Sequence, residues 1–265
     1  MSPTVRHHRL AILTVVRDDR AGLADTCDSL RGQLGPQVAW FVADGASSDG
    51  TSEWLERHAA LIDWRRSAPD SGIYDAMNHA LDAARRSGCS HALFLNAGDR
   101  LADGDTIGRL LDAIGRHAGS ALLYGDALER LEDGRILLKR ARSHRLASFG
   151  MFTHHQAMIY RIECLQGIRF DTGFRIAADY AFTLAVLARG NAVRLPVAVC
   201  QFRHGGLSQR EADEGRREQT RIRRDMMGYG RLRLLAIASA QRTALTFRRL
   251  FPATYTKLRF ERPEI

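Results

Sequence analysis

Phe94-Leu95-Asn96-Ala97-Gly98-Asp99 reads as a buried strand that stops abruptly in a polar turn with a carboxylate at its tip. In open α/β sheets ligands bind outside the carboxyl ends of the strands, so such a carboxylate stands where a metal or phosphate would be met. A second turn of this kind, Val42-Ala43-Asp44-Gly45-Ala46-Ser47-Ser48-Asp49-Gly50-Thr51, precedes it. Two acidic strand-end turns on one sheet point to a nucleotide diphosphate site.

The flanking segments supply that sheet. Leu10 to Val16 is a continuous apolar run ended by Arg17-Asp18-Asp19, as in a strand buried on both faces. Leu23, Cys27, Leu30 and Leu34 follow at helical spacing. Val38 to Val42 is the next strand, Trp54, Leu55 and His58 mark a short helix, and a brief strand lies near Trp64. After the turn-forming Ala68-Pro69-Asp70-Ser71-Gly72, the residues Ile73, Met77, Ala80, Leu81 and Ala84 line one face of a helix. His91 to Leu95 and a helix with Ile107, Leu110, Leu111 and Ile114 complete a β-α alternation, which predicts a mostly parallel sheet covered on both sides. Beyond Ser120 the pattern becomes α+β. A hairpin is expected around Glu132-Asp133-Gly134, strands at Ala157 to Tyr160 and Ala192 to Val199, and a helix over Tyr180 to Ala188. From about Gln209 arginines alternate with Leu232, Leu235, Phe247, Leu250 and Phe251, as in basic amphipathic helices.

The chain has 265 residues, 45% hydrophobic and 26% charged, which excludes a disordered chain. The net charge of +9 comes from arginine, since Lys139 and Lys257 are the only lysines. Arginine's planar fork suits phosphate, so polyanions or anionic surfaces are natural partners, although genome base composition alone also yields arginine-rich chains. The four cysteines are widely spaced with no Cys-x-x-Cys pair, against a zinc knuckle or redox dithiol. Met1 to Arg9 lacks an apolar signal core and no run approaches the ~20 apolar residues of a membrane span. A cytoplasmic location is expected, with membrane contact limited to the inner face through the basic tail.

Seven segments stand in a recognisable order: Ile12 to Val16, Asp44 to Thr51, Ser71 to Asn78, Leu95 to Asp99, His155-Gln156, Ala177 to Tyr180, and Gly205-Gly206-Leu207-Ser208. Together they resemble a family 2 glycosyltransferase with a GT-A fold, similar to bacterial enzymes of exopolysaccharide, colanic-acid or O-antigen synthesis. The resemblance implies a GT-A domain over 1–208, with a nucleotide-sugar half at about 9–119 and an acceptor half at about 120–208. It leaves 209–265 as a basic helical extension.

The resemblance also implies roles. Asp99 would hold Mg²⁺ or Mn²⁺; Asn96 and Gly98 replace two family aspartates, yet such a cation needs only one or two carboxylates when diphosphate supplies the rest. Asp44 would meet the nucleobase, where a carboxylate favours a base with an N–H on its pairing edge, hence a UDP-, dTDP- or GDP-sugar. Thr14 matches a position near the base, and Gly72, Tyr74, Asp75, Asn78, Asn96, Ala97 and Gly98 match donor positions. Asp75 is equally a first-turn residue complementing the helix dipole. Asp179 takes the place of the family's catalytic base, with an N-cap as its alternative. Asp126, His155, Gln156, His204, Gly205, Gly206 and Ser208 are weaker candidates for acceptor contact or a diphosphate loop. Adjacent histidines 154 and 155 point to opposite faces of a strand and cannot share a metal.

The activity so implied is inverting transfer of one sugar from a nucleotide donor to a hydroxyl of a lipid-linked or oligosaccharide acceptor, in cell-surface polysaccharide synthesis. A catalytically inactive homologue that binds nucleotide as an assembly partner is the alternative, motivated by the two missing carboxylates. A nicotinamide oxidoreductase needs Gly-x-Gly-x-x-Gly after the first strand, where Arg17-Asp18-Asp19-Arg20 stands instead. A nucleic-acid binder explains the charge but not the ordered acidic turns.

Overall fold

The computed structural model describes residues 9–131 and 133–260. Its first half alternates strands and helices: β1 (Leu10–Val16), α1 (Arg20–Leu30), β2 (Val38–Asp44), α2 (Thr51–Arg57), β3 (Trp64–Ser67), α3 (Ile73–Arg86) and β4 (His91–Phe94). The two-residue β5 (Arg100–Leu101) and α4 (Thr106–Arg116) follow. The second half carries β6 (Leu122–Arg130), β7 (Ile136–Lys139), β8 (Met158–Arg161), α5 (Ala178–Leu187) and β9 (Ala192–Arg203). The chain then runs through the single turn α6 (Leu207–Arg210) into α7 (Ala212–Met227), α8 (Arg231–Leu250) and α9 (Pro252–Arg259).

The strands form one mixed α/β sheet in the order β3-β2-β1-β4-β8-β6-β9-β5, with β7 hydrogen-bonded to β6. The β3-β2-β1-β4 half is parallel. β8 runs antiparallel to both β4 and β6, so the second half extends the same sheet. β1 and β2 are buried along their whole length, as continuous apolar runs require when both faces are covered. Alternation divides them: Ala11, Leu13 and Val15 pack in one core with Met77, Ala80, Leu81 and Ala84 of α3 and Phe182 of α5. Leu10, Ile12 and Val16 face the other core, with Leu23 and Cys27 of α1, Trp54 of α2 and Leu110 and Ile114 of α4. β1 and β4 therefore deliver their carboxyl ends, and the turn at 96–99, to one edge of the molecule.

Several elements depart from the sequence-based expectation. β9 runs on to Arg203 instead of ending at Val199, because Cys200 to Arg203 pair with β6 and Cys200 and Gln201 also with β5. Local pattern cannot reveal such long-range partners. Residues His155–Ala157 form a 3-10 turn ahead of β8, not the start of the strand. α5 begins at Ala178, which places Asp179 inside its first turn instead of ahead of it. β6 and β7 pair antiparallel, as expected of a hairpin, while Glu132 of its turn lies outside the described residues.

Candidate active site

The turn after β4 is held from three sides. Thr26 of α1 donates its hydroxyl to the Asp99 carbonyl (2.7 Å) and accepts the Gly98 N–H (3.0 Å). Arg130, at the end of β6, donates to the Gly98 carbonyl at 2.9 Å. The Arg203 N–H, at the end of β9, donates to Asp99 Oδ1 at 2.9 Å, while its guanidinium pairs with Asp19. Gly98 has φ +90°, and a Cβ there would lie 2.2 Å from Arg203 Cζ. Only glycine serves at this position without displacing the arginine.

This turn forms part of the wall of a cavity of about 710 Å³. Asn96, Ala97 and Asp99 line it together with Tyr74, His155, Gln156, Asp179, His204 and Gly206. Sequence-distant candidates thus converge on one space. Arg203, Arg175 and Arg216 add guanidinium groups to its wall, and Arg248, Tyr255 and Phe260 bring the C-terminal helices to it.

Electrostatics single out the two carboxylates. Asp99 is 4% exposed. Its burial raises the carboxyl to about 7 against the lowering pull of the Arg203 N–H and charge. Asp179 is raised to about 6, by burial first, with the Glu218 charge adding to it and hydrogen bonds from backbone N–H groups opposing. The Asp179 carboxylate accepts the Tyr180 N–H at 2.7 Å. His155 is stacked on Phe94 at 4.9 Å between ring centroids and is lowered to about 3 by burial, so it is neutral. Among the described residues no group of three or more His, Cys, Asp or Glu side chains is disposed to hold a metal ion. A divalent cation would therefore rely on Asp99 with ligand oxygens. Asn96 Oδ1, buried with no hydrogen-bond partner beside it in the same wall, fits an added oxygen ligand.

Other candidates are employed elsewhere. Thr14 is fully buried, donating to the Leu95 carbonyl (2.8 Å) and accepting the Trp40 Nε1 proton (3.0 Å), so it ties β1 to β4 and β2 and does not line the cavity. The Asn78 amide bonds the Phe170 backbone in both directions at 2.9 Å, which makes it a brace between α3 and a distant loop. Asp44 is buried at the end of β2, accepting from Ser47 and from the Ser67 hydroxyl, and is likewise absent from the cavity wall. Asp126 sits at an irregularity of β6, where it accepts the Ala141 N–H (2.7 Å) and pairs with Arg194 (3.1 Å) away from the cavity. Asp75 accepts the Ser71 N–H at 3.0 Å in the first turn of α3, the dipole-complementing alternative. Gly72, φ +125°, is the N-cap that turns the chain into α3 and presents Tyr74 to the cavity. Gly205, φ +93°, donates its N–H to Gln209 Oε1. The Ser208 side chain lies outside the described residues.

Two features escaped sequence reasoning. Glu129 of β6, Lys139 of β7 and His154 form a buried cluster in the cavity wall, with His154 Nε2 2.8 Å from Glu129 Oε1 and 3.0 Å from Lys139 Nζ. Burial works to raise Glu129, but the His154 hydrogen bond and the Lys139 charge hold it at about 2. The alternation of β6 and β7 was the available signal. Glu218 of α7 reaches the backbone ahead of Asp179, and nothing in its arginine-rich neighbourhood marks it.

Comparison with known proteins yields a consistent set of likenesses. The family described as "Glycosyl transferase family 2" matches residues 11–173. A "PGL/p-HBAD biosynthesis glycosyltransferase" of Mycobacterium bovis is 29% identical over 203 residues, 71% of this chain and 74% of that protein. Among solved structures, TarS 1–349 of S. aureus aligns with a TM-score of 0.63 at 19% identity, over 82% of this chain and 66% of that one. The present chain therefore spans less than two thirds of that TarS chain. The complex of TarS 1–349 with UDP-GlcNAc gives 0.64 at 18% identity. A mannosyltransferase of Pyrobaculum calidifontis, in complex with GDP-Man and Mn²⁺, gives 0.60 at 15% identity, over 87% of this chain and 68% of that one. At these identities the structural likeness speaks for a GT-A architecture.

Proposed function

The chain belongs to glycosyl transferase family 2, and from that premise we propose that it transfers a sugar, with inversion, from a nucleoside-diphosphate donor to an acceptor hydroxyl. Asp179 is the base. The observation that carries this is the single cavity shared by Asp99, at the strand-end turn, and Asp179, at the start of α5. Inverting transfer requires two such stations: one where the diphosphate leaves, and a carboxylate opposite it to take the acceptor proton as the anomeric carbon is attacked in line. The transition state is oxocarbenium-like, as in glycoside hydrolysis. A carboxyl raised to about 6 is ionised at neutral pH yet basic enough to accept a proton. Arg203 and the His204 to Gly206 turn face the leaving diphosphate.

Asp99 would hold Mg²⁺ or Mn²⁺, with Asn96 Oδ1 as a further oxygen, and the cation offsets charge growing on the diphosphate. The relation to a Mn²⁺-bound mannosyltransferase supports this choice. UDP is the first nucleotide to test, GDP and dTDP the next. Heat-denaturation midpoints with and without Mn²⁺ test the whole assignment, because a ligand at 100 times its Kd stabilises by about 2.7 kcal/mol. One nucleotide sugar should raise the midpoint only when Mn²⁺ is present. If a nucleotide sugar binds but none is turned over, the inactive, nucleotide-binding alternative takes the place of the transferase; if no UDP-, GDP- or dTDP-sugar binds, both readings fail.

The acceptor proposed is lipid-linked, in cell-envelope polysaccharide synthesis, reached at an anionic membrane surface. Support comes from α8, in which Ile237 is the sole buried residue and Leu232, 86% exposed, stands with Leu235, Leu250 and Phe251 among exposed arginines. Apolar side chains with a basic face suit an interfacial helix. No helix among the described residues is long and apolar enough to cross a membrane. Sedimentation should show binding to phosphatidylglycerol vesicles and not to phosphatidylcholine, and Leu232→Ser with Leu235→Ser should weaken it several-fold. Equal binding to both vesicle types, or indifference to the substitutions, removes the membrane from the proposal.

A further inference from the structure

α7 belongs by composition to the arginine-rich extension, yet it carries one buried acid. Glu218 is 8% exposed and its carboxylate accepts three successive backbone N–H groups: Arg175 on Oε1 at 2.6 Å, and Ile176 and Ala177 on Oε2 at 2.9 and 2.8 Å. Those residues lead directly into α5, whose N-cap, Ala177, has no side chain able to cap. Helix N-termini leave orphan N–H groups, and a carboxylate is a strong acceptor for them. The opposite edge of the segment is held too, since the Tyr74 hydroxyl donates to the Ile176 carbonyl. Contact is close: a Cβ at Gly215, one turn before Glu218, would lie 3.0 Å from Ile176 Cγ2. One turn beyond, buried Arg223 donates Nε to the Ser148 carbonyl at 2.8 Å and lies 5.5 Å over the Tyr180 ring. α7 thus grips the residues on both sides of Asp179.

We infer that Glu218 is a positioning residue for the proton-accepting carboxylate, clamping residues 175–177 so that Asp179 faces the cavity. This rests on the assignment of Asp179 as base and adds the part that aims it. The clamp also carries a charge. Glu218 and burial both favour the protonated form of Asp179. Most other groups of the cavity wall keep one charge state over the working range: Glu129 is held at about 2 and His154 is lowered to about 4. Tyr74 and Tyr160 are pushed far above their usual value by burial and stay neutral, and His155 is neutral at about 3. Arg175 and Arg216, in the same wall, are paired with Glu211 and Asp213. Asp99, which titrates at about 7, and His204 share the cavity wall and are followed separately through Asp99→Asn and His204→Gln.

The test is the pH profile of kcat/KM in Glu218→Gln and Glu218→Asp, measured on the full chain beside Asp179→Asn. Glu218→Gln removes the charge and at least one N–H bond at nearly unchanged volume. It should leave donor-induced heat stabilisation intact, lower kcat by up to about 10²-fold, as a small misplacement of a catalytic group does, and move the Asp179-dependent acid limb to lower pH. Glu218→Asp keeps the charge, so it should restore the position of that limb while kcat stays reduced. An unmoved limb, or kcat and donor stabilisation falling together in both variants, assigns Glu218 to ordinary folding and overturns the inference. Amide exchange of 175–177 in the wild type gives a second reading that needs no variant: rates typical of an open loop overturn it as well. If Asp179→Asn retains activity, the base assignment itself is wrong, an outcome distinct from the Glu218 results.

Discussion

Asp179→Asn will lower sugar transfer by roughly 10²–10⁴-fold, the range for loss of a positioned base, while donor binding changes little. The amide preserves shape and can still accept the Tyr180 N–H, so α5 starts as before. What it loses is the ability to take a proton. A second signature separates this from damage to the fold. The Asp179 carboxyl is raised to about 6 from an ordinary 3.8, so its ionised form is held against a burial penalty. A group whose folded pKa lies above its unfolded one contributes stability at low pH that is lost as pH rises between the two values. The melting temperature of the ligand-free wild type should therefore fall between about pH 4 and 6 more steeply than that of the variant, leaving the variant the more stable at pH 8. Transfer within a few-fold of wild type would remove Asp179 from the mechanism.

Asp99→Asn should abolish the Mn²⁺-dependent part of donor binding and with it most of the activity, while the free protein becomes more stable at pH 8. Asp99 is nearly fully buried and raised to about 7, with burial the leading cause. Each pKa unit is worth about 1.4 kcal/mol, so ionising it without a cation costs on the order of a few kcal/mol. By the same linkage that cost grows as pH rises from about 4 to 7 and is constant above. A bound divalent cation offsets it, so metal-linked donor binding in the wild type should strengthen as pH rises toward and past 7. Titration of Mn²⁺ with a nucleotide sugar at pH 6 and pH 8, followed by calorimetry, reads both effects. An Asn variant with unchanged Mn²⁺ dependence would show that the cation, if used, is held elsewhere.

Much of the nucleotide-side half was legible because burial on both faces leaves a plain signature: uninterrupted apolar runs such as Leu10 to Val16, each stopped by a polar turn. The ordered motifs likewise brought Asp99, Asp179, Tyr74 and Gln156 forward, and these line one cavity. The same motifs also nominated Thr14 and Asn78, and the start of the second half nominated Asp126; their side chains turn to partners 81, 92 and 68 residues away or to neighbouring backbone. Motif membership says that a position is constrained. It does not distinguish constraint by a ligand from constraint by the fold, since a buried amide must satisfy its hydrogen bonds in either case.

Sequence alone determined the alternation of strands and helices, the acidic turn at 96–99 and the basic character of the tail, because each arises from short-range pattern: solvent exclusion along a strand, turn chemistry, charge along a helix. Tertiary structure alone decided which acid stands beside which. Arg203 folds over Gly98, Asp99 and Asp179 come to share a cavity, and Glu218 reaches the backbone 41 to 43 residues before it. The physical reason is that burial and the field of neighbouring charges set a carboxylate's proton affinity, and both are made by chain segments distant in sequence.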